Sequence, residues 1–382
     1  MGERKDQKGF RLEELLRAYF IRAGVYAVRG VPLKFDGDDL TDIDIWLYER
    51  PTGSSRRRQI VDAKSKTKPK AIERLLWTKG LFELLDVDGA YIATTDTRPL
   101  LKDMSRRLGI SVLDGSDIKR MAESDKVVFP DRLAEEEIDD AIRRRDTDRR
   151  NKYLQTGYSD LKGALIDNFG GGTANRALEH VHRFSNELVA SHPNSPSAEI
   201  CLRLTYIAAS ISAIAIDAAL SKVSFKSTDE RRHAIINIIR YGDEDEARGL
   251  EKVRIATALI ERYAPNGGAL SQTVAQAVRK DYAKIPAEII ADHVVGNIRA
   301  DGLFRIARSL DLRAFNRQLL GFDDLSQEEK AFIGVLVDFV DCDRAAVAKS
   351  WTPKPSVKPD ATKSGIEVVD ELGPLFDNRK GE

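Results

Sequence analysis

Every segment with the composition of a β-strand lies in the first 120 of the 382 residues. Residues 10–120 alternate such segments with stretches of helical spacing, whereas the apolar positions from about 130 to 349 repeat at helical spacing alone. This division predicts a mixed α/β unit followed by an all-α unit. We place the boundaries at residues 1–122, 123–350 and 351–382, and we expect the last of these, with four prolines, to be a flexible tail.

Within the first unit the predicted order is helix, three strands, helix, strand, helix, strand. Residues 11–23 have helical spacing, and Gly24 ends that helix. The runs VYAVRGVPLKF, DIDIWLYE and RRQIVDAKS predict three strands, and the turn PTGSS joins the last two as a hairpin. Helices at about 70–85 and 100–108 flank the run GAYIATT, and GISVLDG closes the unit.

The second unit is predicted to contain seven or eight helices separated by breaks rich in Asn and Gly. Its most apolar run, residues 204–216, has 13 residues without a charge, which is short of the roughly 18–20 needed to span a bilayer. We therefore expect a buried helix and no membrane span. The first ten residues precede no apolar stretch, and the two cysteines suit a reducing compartment, so we expect a cytoplasmic protein.

Composition excludes several classes of function. The 61 basic and 61 acidic residues cancel, which excludes a generally basic nucleic-acid coat protein but leaves room for a local basic patch. Two cysteines exclude a disulfide framework and a cysteine-rich zinc module. The run NFGGGTANR lacks the Gly-Lys-Ser/Thr of a phosphate-binding loop, so we expect no ATPase.

Ionisable side chains follow one another along the two strands of the hairpin. Alternation places Asp42 and Asp44 on one face of DIDIWLY, and Asp62 and Lys64 on one face of IVDAKSK. Two carboxylates about 4 Å apart repel by about 4 kcal/mol at an effective dielectric constant near 20. A divalent cation relieves this repulsion, and oxygen ligands suit Mg²⁺ or Mn²⁺. A metal beside the Lys64 ammonium is suited to phosphodiester hydrolysis.

The triplet Asp/Glu-x-Lys carries little information by itself, because it occurs at five other places in the chain. At residues 62–64 it follows a second acid, Asp44, by 18 residues across the predicted hairpin. A helical acid, Glu13 or Glu14, also precedes the first strand. These additions make the triplet at 62–64 the candidate catalytic one.

Residues 10–120, which carry these motifs, resemble the PD-(D/E)xK nuclease superfamily. Their pattern of elements and motifs is most similar to that of Mrr-like restriction endonucleases and archaeal Holliday-junction resolvases. The helical glutamate of that pattern is matched by Glu13, eleven residues before Gly24, and the strand aspartate by Asp44. The acid-x-lysine motif is matched by residues 62–64, and the later strand ending in Thr-Thr by YIATT. Asp42 competes with Asp44 for its role, and Glu14 with Glu13. No proline precedes Asp44, and an alanine stands where Mrr-like proteins often have cysteine.

The resemblance implies a restriction-endonuclease-like αβββαβ core and metal-dependent phosphodiester cleavage. It assigns catalysis to Asp44, Asp62, Lys64 and Glu13. It also places Glu13, Asp44, Asp62 and the Ala63 carbonyl oxygen around Mg²⁺ or Mn²⁺. It covers less than a third of the chain and does not extend to residues 130–382.

Basic residues surround the triplet in the sequence, since residues 50–70 hold eight basic side chains and one acidic one. Such a patch can neutralise phosphates, although a solvated loop and helix start would have the same composition. The residues that we predict to contact nucleic acid are Arg56, Arg57, Arg58, Lys66, Lys68 and Lys70.

These observations predict a Mg²⁺-dependent endonuclease that acts on nucleic acid, with DNA favoured over RNA, in bacterial defence or restriction. Because one centre cuts one strand, double-strand cleavage favours a homodimer, and the helical unit is expected to bind a second copy or a partner protein. Two alternatives stay open. One is a non-cleaving scaffold with a degenerate nuclease fold that binds nucleic acid or a partner, and the other is a repair or recombination nuclease for branched DNA.

Overall fold

The structure is a computed structural model of the chain. It describes residues 3–35, 37–64, 70–124, 126–146, 152–167, 169–298 and 301–353, with side chains from residue 11 onward. The predicted flexible tail, apart from its first three residues, lies outside the described residues, and so do Lys66 and Lys68.

The first part of the chain follows the predicted order of elements. Its helices are α1 (Glu3–Arg22), α2 (Ala71–Leu84), α3 (Pro99–Leu108) and α4 (Gly115–Ala122), and its strands are β1 (Tyr26–Phe35), β2 (Asp38–Glu49), β3 (Arg57–Lys64), β4 (Gly89–Thr94) and β5 (Ser111–Leu113). Gly24 has a φ of 88°, a left-handed conformation that favours glycine, and it separates α1 from β1. The sequence did not predict α4, whose N-terminus is capped by the buried carboxylate of Asp114.

The five strands form one mixed sheet in the order β1-β2-β3-β4-β5. β1 pairs antiparallel with β2, and β2 pairs antiparallel with β3, so the predicted hairpin is confirmed. β3, β4 and β5 are parallel, and helices α2 and α3 make the two crossovers. The carboxyl ends of the three parallel strands therefore lie at the same end of the sheet.

Both faces of this sheet are covered, because β2 and β3 carry apolar residues at alternate positions on each side. On one face, Ile45, Leu47 and Val61 pack with α1 residues such as Leu16 and Phe20. On the other face lie the side chains of residues 46, 48, 60 and 92, which belong to the same apolar cluster as the helical part. A sheet that is buried on both sides leaves chiefly its strand ends accessible to a ligand.

The second part of the chain is helical, as predicted. The β-type pairing among its described residues is an isolated bridge between Arg132 and Asn316. The described residues contain twelve helices in this part rather than the predicted seven or eight. They are α5 (Glu135–Arg145), α6 (Tyr153–Gly163), α7 (Gly171–Ala190), α8 (Pro196–Leu220), α9 (Thr228–Tyr241), α10 (Glu246–Gly249), α11 (Glu251–Tyr263), α12 (Gly267–Ala283), α13 (Ala287–Asn297), α14 (Gly302–Phe315), α15 (Gln327–Phe339) and α16 (Arg344–Ser350).

Helix α8 is the centre of this part. In the described residues, one helical stretch, Pro196–Val223, is long and apolar enough to cross a membrane, and 83% of its most apolar window is buried inside the protein. Helices α7 and α14 pack along it, as expected for the core helix of a soluble protein. The predicted buried helix at 204–216 is thus confirmed.

The two parts share a core and a network of buried charges across the predicted boundary at residues 122 and 123. One apolar cluster includes Trp46 of β2 and residues of α7, α8 and α14. Glu135, the first residue of α5, accepts hydrogen bonds from Arg17 of α1 at 2.8 Å and from Lys162 of α6 at 3.0 Å. The helical part therefore packs directly on the sheet and on α1.

Candidate active site at the carboxyl end of strand β3

The antiparallel register of β2 and β3 brings the two predicted aspartates side by side. Ile45 pairs with Val61, so the next residues outward are Asp44 and Asp62. At this point the Ala63 N–H donates a hydrogen bond to the Asp44 Oδ2 atom at 2.7 Å. A side-chain carboxylate thus takes the place of a backbone acceptor where the β2–β3 ladder ends.

Asp62 is buried beside a cation that the sequence analysis did not identify. Its side chain accepts a hydrogen bond from the Arg74 Nε atom at 2.8 Å, and the Arg74 Nη2 atom makes a second, closer contact. Arg74 comes from α2, the helix that follows β3, and its side chain is partly exposed. The pairing offsets the cost of burying the Asp62 carboxylate.

Lys64 lies two residues beyond Asp62, at the end of β3, where it is half-buried and pairs in register with Thr94 of β4. Its positive charge lowers the pKa of the Asp44 carboxyl, in opposition to burial. The predicted Asp44, Asp62 and Lys64 therefore share one end of the sheet.

The helical acids reach the same region through Arg29, a buried residue of β1. The Arg29 Nε atom donates to the Glu13 Oε2 atom at 2.8 Å, and its Nη1 atom donates to the Glu14 Oε1 atom at 2.5 Å. A third carboxylate, that of Glu136 on α5, also binds this guanidinium. Glu14 in addition accepts the Glu135 N–H at 3.1 Å, which ties it to α5.

The pKa values of two acids at this site are raised. Burial raises the pKa of Glu13, and the nearby Asp44 and Glu136 carboxylates raise it further, although Arg29 opposes this. Burial also raises the pKa of Asp44, against the lowering effects of the Ala63 N–H, Lys64 and the two arginines. Burial is the main cause in both residues, and a bound cation would favour their charged forms.

These contacts also distinguish between the alternatives that the sequence left open. Asp42 is exposed and pairs in the ladder with Pro32 of β1, whereas Asp44 is half-buried beside Asp62. Glu13 interacts electrostatically with Asp44, whereas Glu14 bonds the backbone at the start of α5. The geometry thus favours Asp44 over Asp42, and the electrostatic interaction with Asp44 favours Glu13 over Glu14.

The donor chemistry fits a hard divalent cation, since all of the side-chain donors are carboxylate oxygens. However, the described residues contain no group of three or more His, Cys, Asp or Glu residues that is positioned to hold a metal ion. The reason is visible in the contacts: Arg74 holds Asp62 and Arg29 holds Glu13. Ala63, whose carbonyl was predicted to face a metal, contributes its N–H to Asp44.

The predicted basic patch is not one surface. Residues 56–58 lie at the opposite end of β3, so at about 3.3 Å per residue Arg57 is about 17 Å from Asp62. Arg56 is half-buried, with its Nε atom 2.6 Å from the Asp217 Oδ2 atom of α8. Because Asp217 holds its guanidinium, Arg56 is not available to contact a phosphate at the proposed site.

The remaining basic residues of the patch have different surroundings. Arg57 is exposed and lies 3.6 Å from Glu49, while the Arg58 Nη2 atom donates to the Asp86 carbonyl oxygen at 2.6 Å. Lys70 is exposed at the start of α2, and its Nζ atom is 3.0 Å from Glu73. Of these residues, Lys70 is the one that follows the carboxyl end of β3 in the chain, at the start of the helix that carries Arg74.

Arg29, Arg74 and Glu136 were not predicted from the sequence as site residues. Arg29 could have been found, because a single charge within the run VYAVRGV must find a buried carboxylate if the strand is central. Arg74 and Glu136 carry no such signal, since each lies among other charged residues on a helix.

Comparisons with family models, curated proteins and solved structures gave no match to this chain.

Proposed function

We propose that the chain is a metal-dependent nuclease and that its active site lies at the carboxyl end of β3. The observation that carries this proposal is the convergence of Asp44, Asp62 and Lys64 at the end of two paired strands, with Glu13 coupled to Asp44. The order of a helix, three antiparallel strands, a helix and a parallel strand is also that of the αβββαβ core of the PD-(D/E)xK nucleases, which supports a restriction-endonuclease-like fold.

In this proposal Asp44, Asp62 and Glu13 hold Mg²⁺ or Mn²⁺. When bound, the ion lowers the pKa of a water molecule and neutralises charge on the phosphate under attack. The Ala63 N–H keeps the Asp44 carboxylate oriented, and the Lys64 ammonium orients the water and offsets phosphate charge. Arg74 must release Asp62, and its partly exposed guanidinium can then bind a phosphate of the substrate.

DNA is the favoured substrate and bacterial defence or restriction the favoured setting, in keeping with the resemblance to Mrr-like enzymes. The exposed Lys70 and the partly exposed Arg74 offer positive charge to the nucleic-acid backbone on the α2 side of the acids. Double-strand cleavage would need a second active site, so we propose a homodimer or a partner protein bound by the helical part.

A cleavage assay tests the proposal. Supercoiled plasmid and labelled single-stranded DNA and RNA are incubated with the protein and Mg²⁺ or Mn²⁺, and in parallel with EDTA. We expect cleavage that requires the metal and that falls by about 100-fold or more in Asp62→Asn and Lys64→Ala, since each removes a group that acts in the transition state.

Asp42→Asn is the matched control, because Asp42 is an exposed acid on the same strand as Asp44. It is expected to cut as well as the wild type, whereas Asp44→Asn is expected to be inactive. Full activity in Asp62→Asn and Lys64→Ala, with a normal thermal unfolding curve, would show that this site is not the catalytic one.

A second candidate function, a scaffold that binds nucleic acid without cutting it, is favoured by the pairing of Asp62 with Arg74 and of Glu13 with Arg29. If these ion pairs are permanent, the acids are satisfied by the protein itself. A thermal-shift titration with Mg²⁺ and Mn²⁺ separates the two functions. A nuclease is expected to be stabilised by the ion in a way that Asp44→Asn abolishes, and a scaffold to be unaffected.

A further inference from the structure

A cavity of about 480 Å³ lies at the other end of the hairpin, between the turn at residues 51–55 and the helical part. Its walls come from the turn and from helices α8, α9, α13 and α14. A volume of this size is within the range of sites that bind small organic molecules. The cavity is separate from the acids at the end of β3, because β2 and β3 run their length between the two places.

The charge of this cavity is positive. Arg50, Arg56 and Arg231 line it, and Asp217 is the acid among its lining residues. The Arg50 Nη1 atom and the Arg56 Nη2 atom donate to the same Asp217 oxygen at 3.1 and 3.0 Å. Two guanidinium groups share one carboxylate, so this group of side chains keeps a net positive charge even before Arg231 is added.

Arg231 of α9 is the cation of this cavity that lacks a carboxylate partner within the described residues. Its Nε atom is buried without a hydrogen-bond partner, and one of its terminal nitrogens lies 3.5 Å from the Thr228 hydroxyl oxygen. A buried guanidinium nitrogen without an acceptor is costly, and a bound anion would supply the acceptor.

Apart from Gly53, Ser54 and Ser224, the rest of the lining is apolar. Leu220, Ile235, Val294 and Leu303 contribute aliphatic side chains. Phe225 also lines the cavity, and with 91% of its surface exposed it is the most exposed large apolar side chain among the described residues. An aromatic ring left in water beside a cationic cavity is placed to stack on a planar group of a ligand.

We propose that this cavity binds a phosphorylated small molecule with a planar apolar group, that is, a nucleotide. Its phosphate would bind Arg231 and lie in the positive potential of Arg50 and Arg56, which Asp217 and the turn carbonyls hold in place. Its base would lie against the aliphatic wall and Phe225. This binding does not depend on the acids at the end of β3 or on any cleavage activity.

Isothermal titration with AMP, ATP and inorganic pyrophosphate, all in EDTA, tests the proposal, because removing divalent ions keeps nucleotides from binding to a metal at the proposed active site. We expect a nucleotide to bind more tightly than pyrophosphate. Arg231→Gln is expected to weaken nucleotide binding by about tenfold or more, which corresponds to about 1.4 kcal/mol. Phe225→Ala is expected to weaken the nucleotides and to leave pyrophosphate unchanged.

Arg232→Gln is the matched control, because Arg232 is the next residue of α9 and its Nε atom pairs with Asp292 at 2.6 Å. It is expected to bind as the wild type does. The proposal is overturned if none of the three probes binds at concentrations up to about 1 mM. It is also overturned if Arg231→Gln, with an unchanged unfolding temperature, binds a nucleotide as the wild type does, or if pyrophosphate binds as tightly as the nucleotides.

Discussion

Replacing Glu135 by glutamine removes a carboxylate that lies between two buried cations, Arg17 of α1 and Lys162 of α6. The Tyr158 hydroxyl also donates to it, at 2.5 Å. Although burial alone would raise the pKa of Glu135, Lys162 and Arg17 lower it from 4.5 to about 2. A decrease of this size corresponds to about 3 kcal/mol of stability at neutral pH.

The sign of the pH dependence follows from this lowered pKa. The folded protein binds the proton of Glu135 less tightly than the unfolded chain does, so the stabilisation is complete above about pH 4.5 and is lost as the pH falls towards 2. Urea unfolding of the wild type and of Glu135→Gln at pH 7 is expected to differ by about 3 kcal/mol or more, since both cations stay buried in the variant. The difference is expected to shrink steadily below pH 4.5.

Asp140→Asn is the control for this experiment, because Asp140 is on the same helix and forms an exposed ion pair with Arg143. It is expected to change the stability little at any pH. A difference between the wild type and Glu135→Gln of less than about 1 kcal/mol at pH 7, or one that does not change between pH 7 and pH 3, would show that the ionised Glu135 carboxylate does not stabilise the fold.

Two further predictions concern acids of β2 and α8. Because burial raises the pKa of Asp44, its ionisation opposes folding at every pH above that raised value. Asp44→Asn, whose amide oxygen can still accept the Ala63 N–H, is therefore expected to unfold at a higher temperature than the wild type at pH 7 in EDTA. The exposed Asp42→Asn is the control and is expected to match the wild type. A lower unfolding temperature for Asp44→Asn would contradict this prediction. Asp217→Asn leaves the largely buried side chains of Arg50 and Arg56 without their carboxylate, and it is expected to lower the free energy of urea unfolding by about 3–5 kcal/mol. Asp292→Asn, at an exposed acid, is expected to lower it little. Equal stability of the two variants would show that the Asp217 cluster is not buried as described.

The order of elements in the first part of the chain could be predicted from the sequence because each element has a local signal. Gly24 ends α1, the turn PTGSS joins β2 and β3, and alternating apolar residues mark the strands. The short helix α4 was missed, because a helix of about two turns carries too few positions to show a period. The number of helices in the second part was underestimated.

The candidate site was predicted in part for the same reason. Once the two strands and the turn between them are predicted, the register of the hairpin is fixed to within a few residues. That register brings Asp44, Asp62 and Lys64 to the same end of the sheet. Which arginine each acid contacts depends instead on how helices pack on the sheet. Arg56 illustrates this, since its sequence neighbours place it in a basic surface loop and its actual partner, Asp217, lies 161 residues away.

The sequence was sufficient to predict the order of elements in the first part of the chain apart from α4, the alternation that puts acids and the lysine on one face of a hairpin, and the division into α/β and helical parts. These depend on interactions between residues that are near in the chain or joined by a short turn. Tertiary structure alone decided that both faces of the sheet are buried, that Arg29 and Arg74 neutralise the acids, and that a cationic cavity forms against α8 and α9. The physical reason is that a buried charge must find its counter-charge wherever packing brings one within reach, and local patterns do not encode that distance.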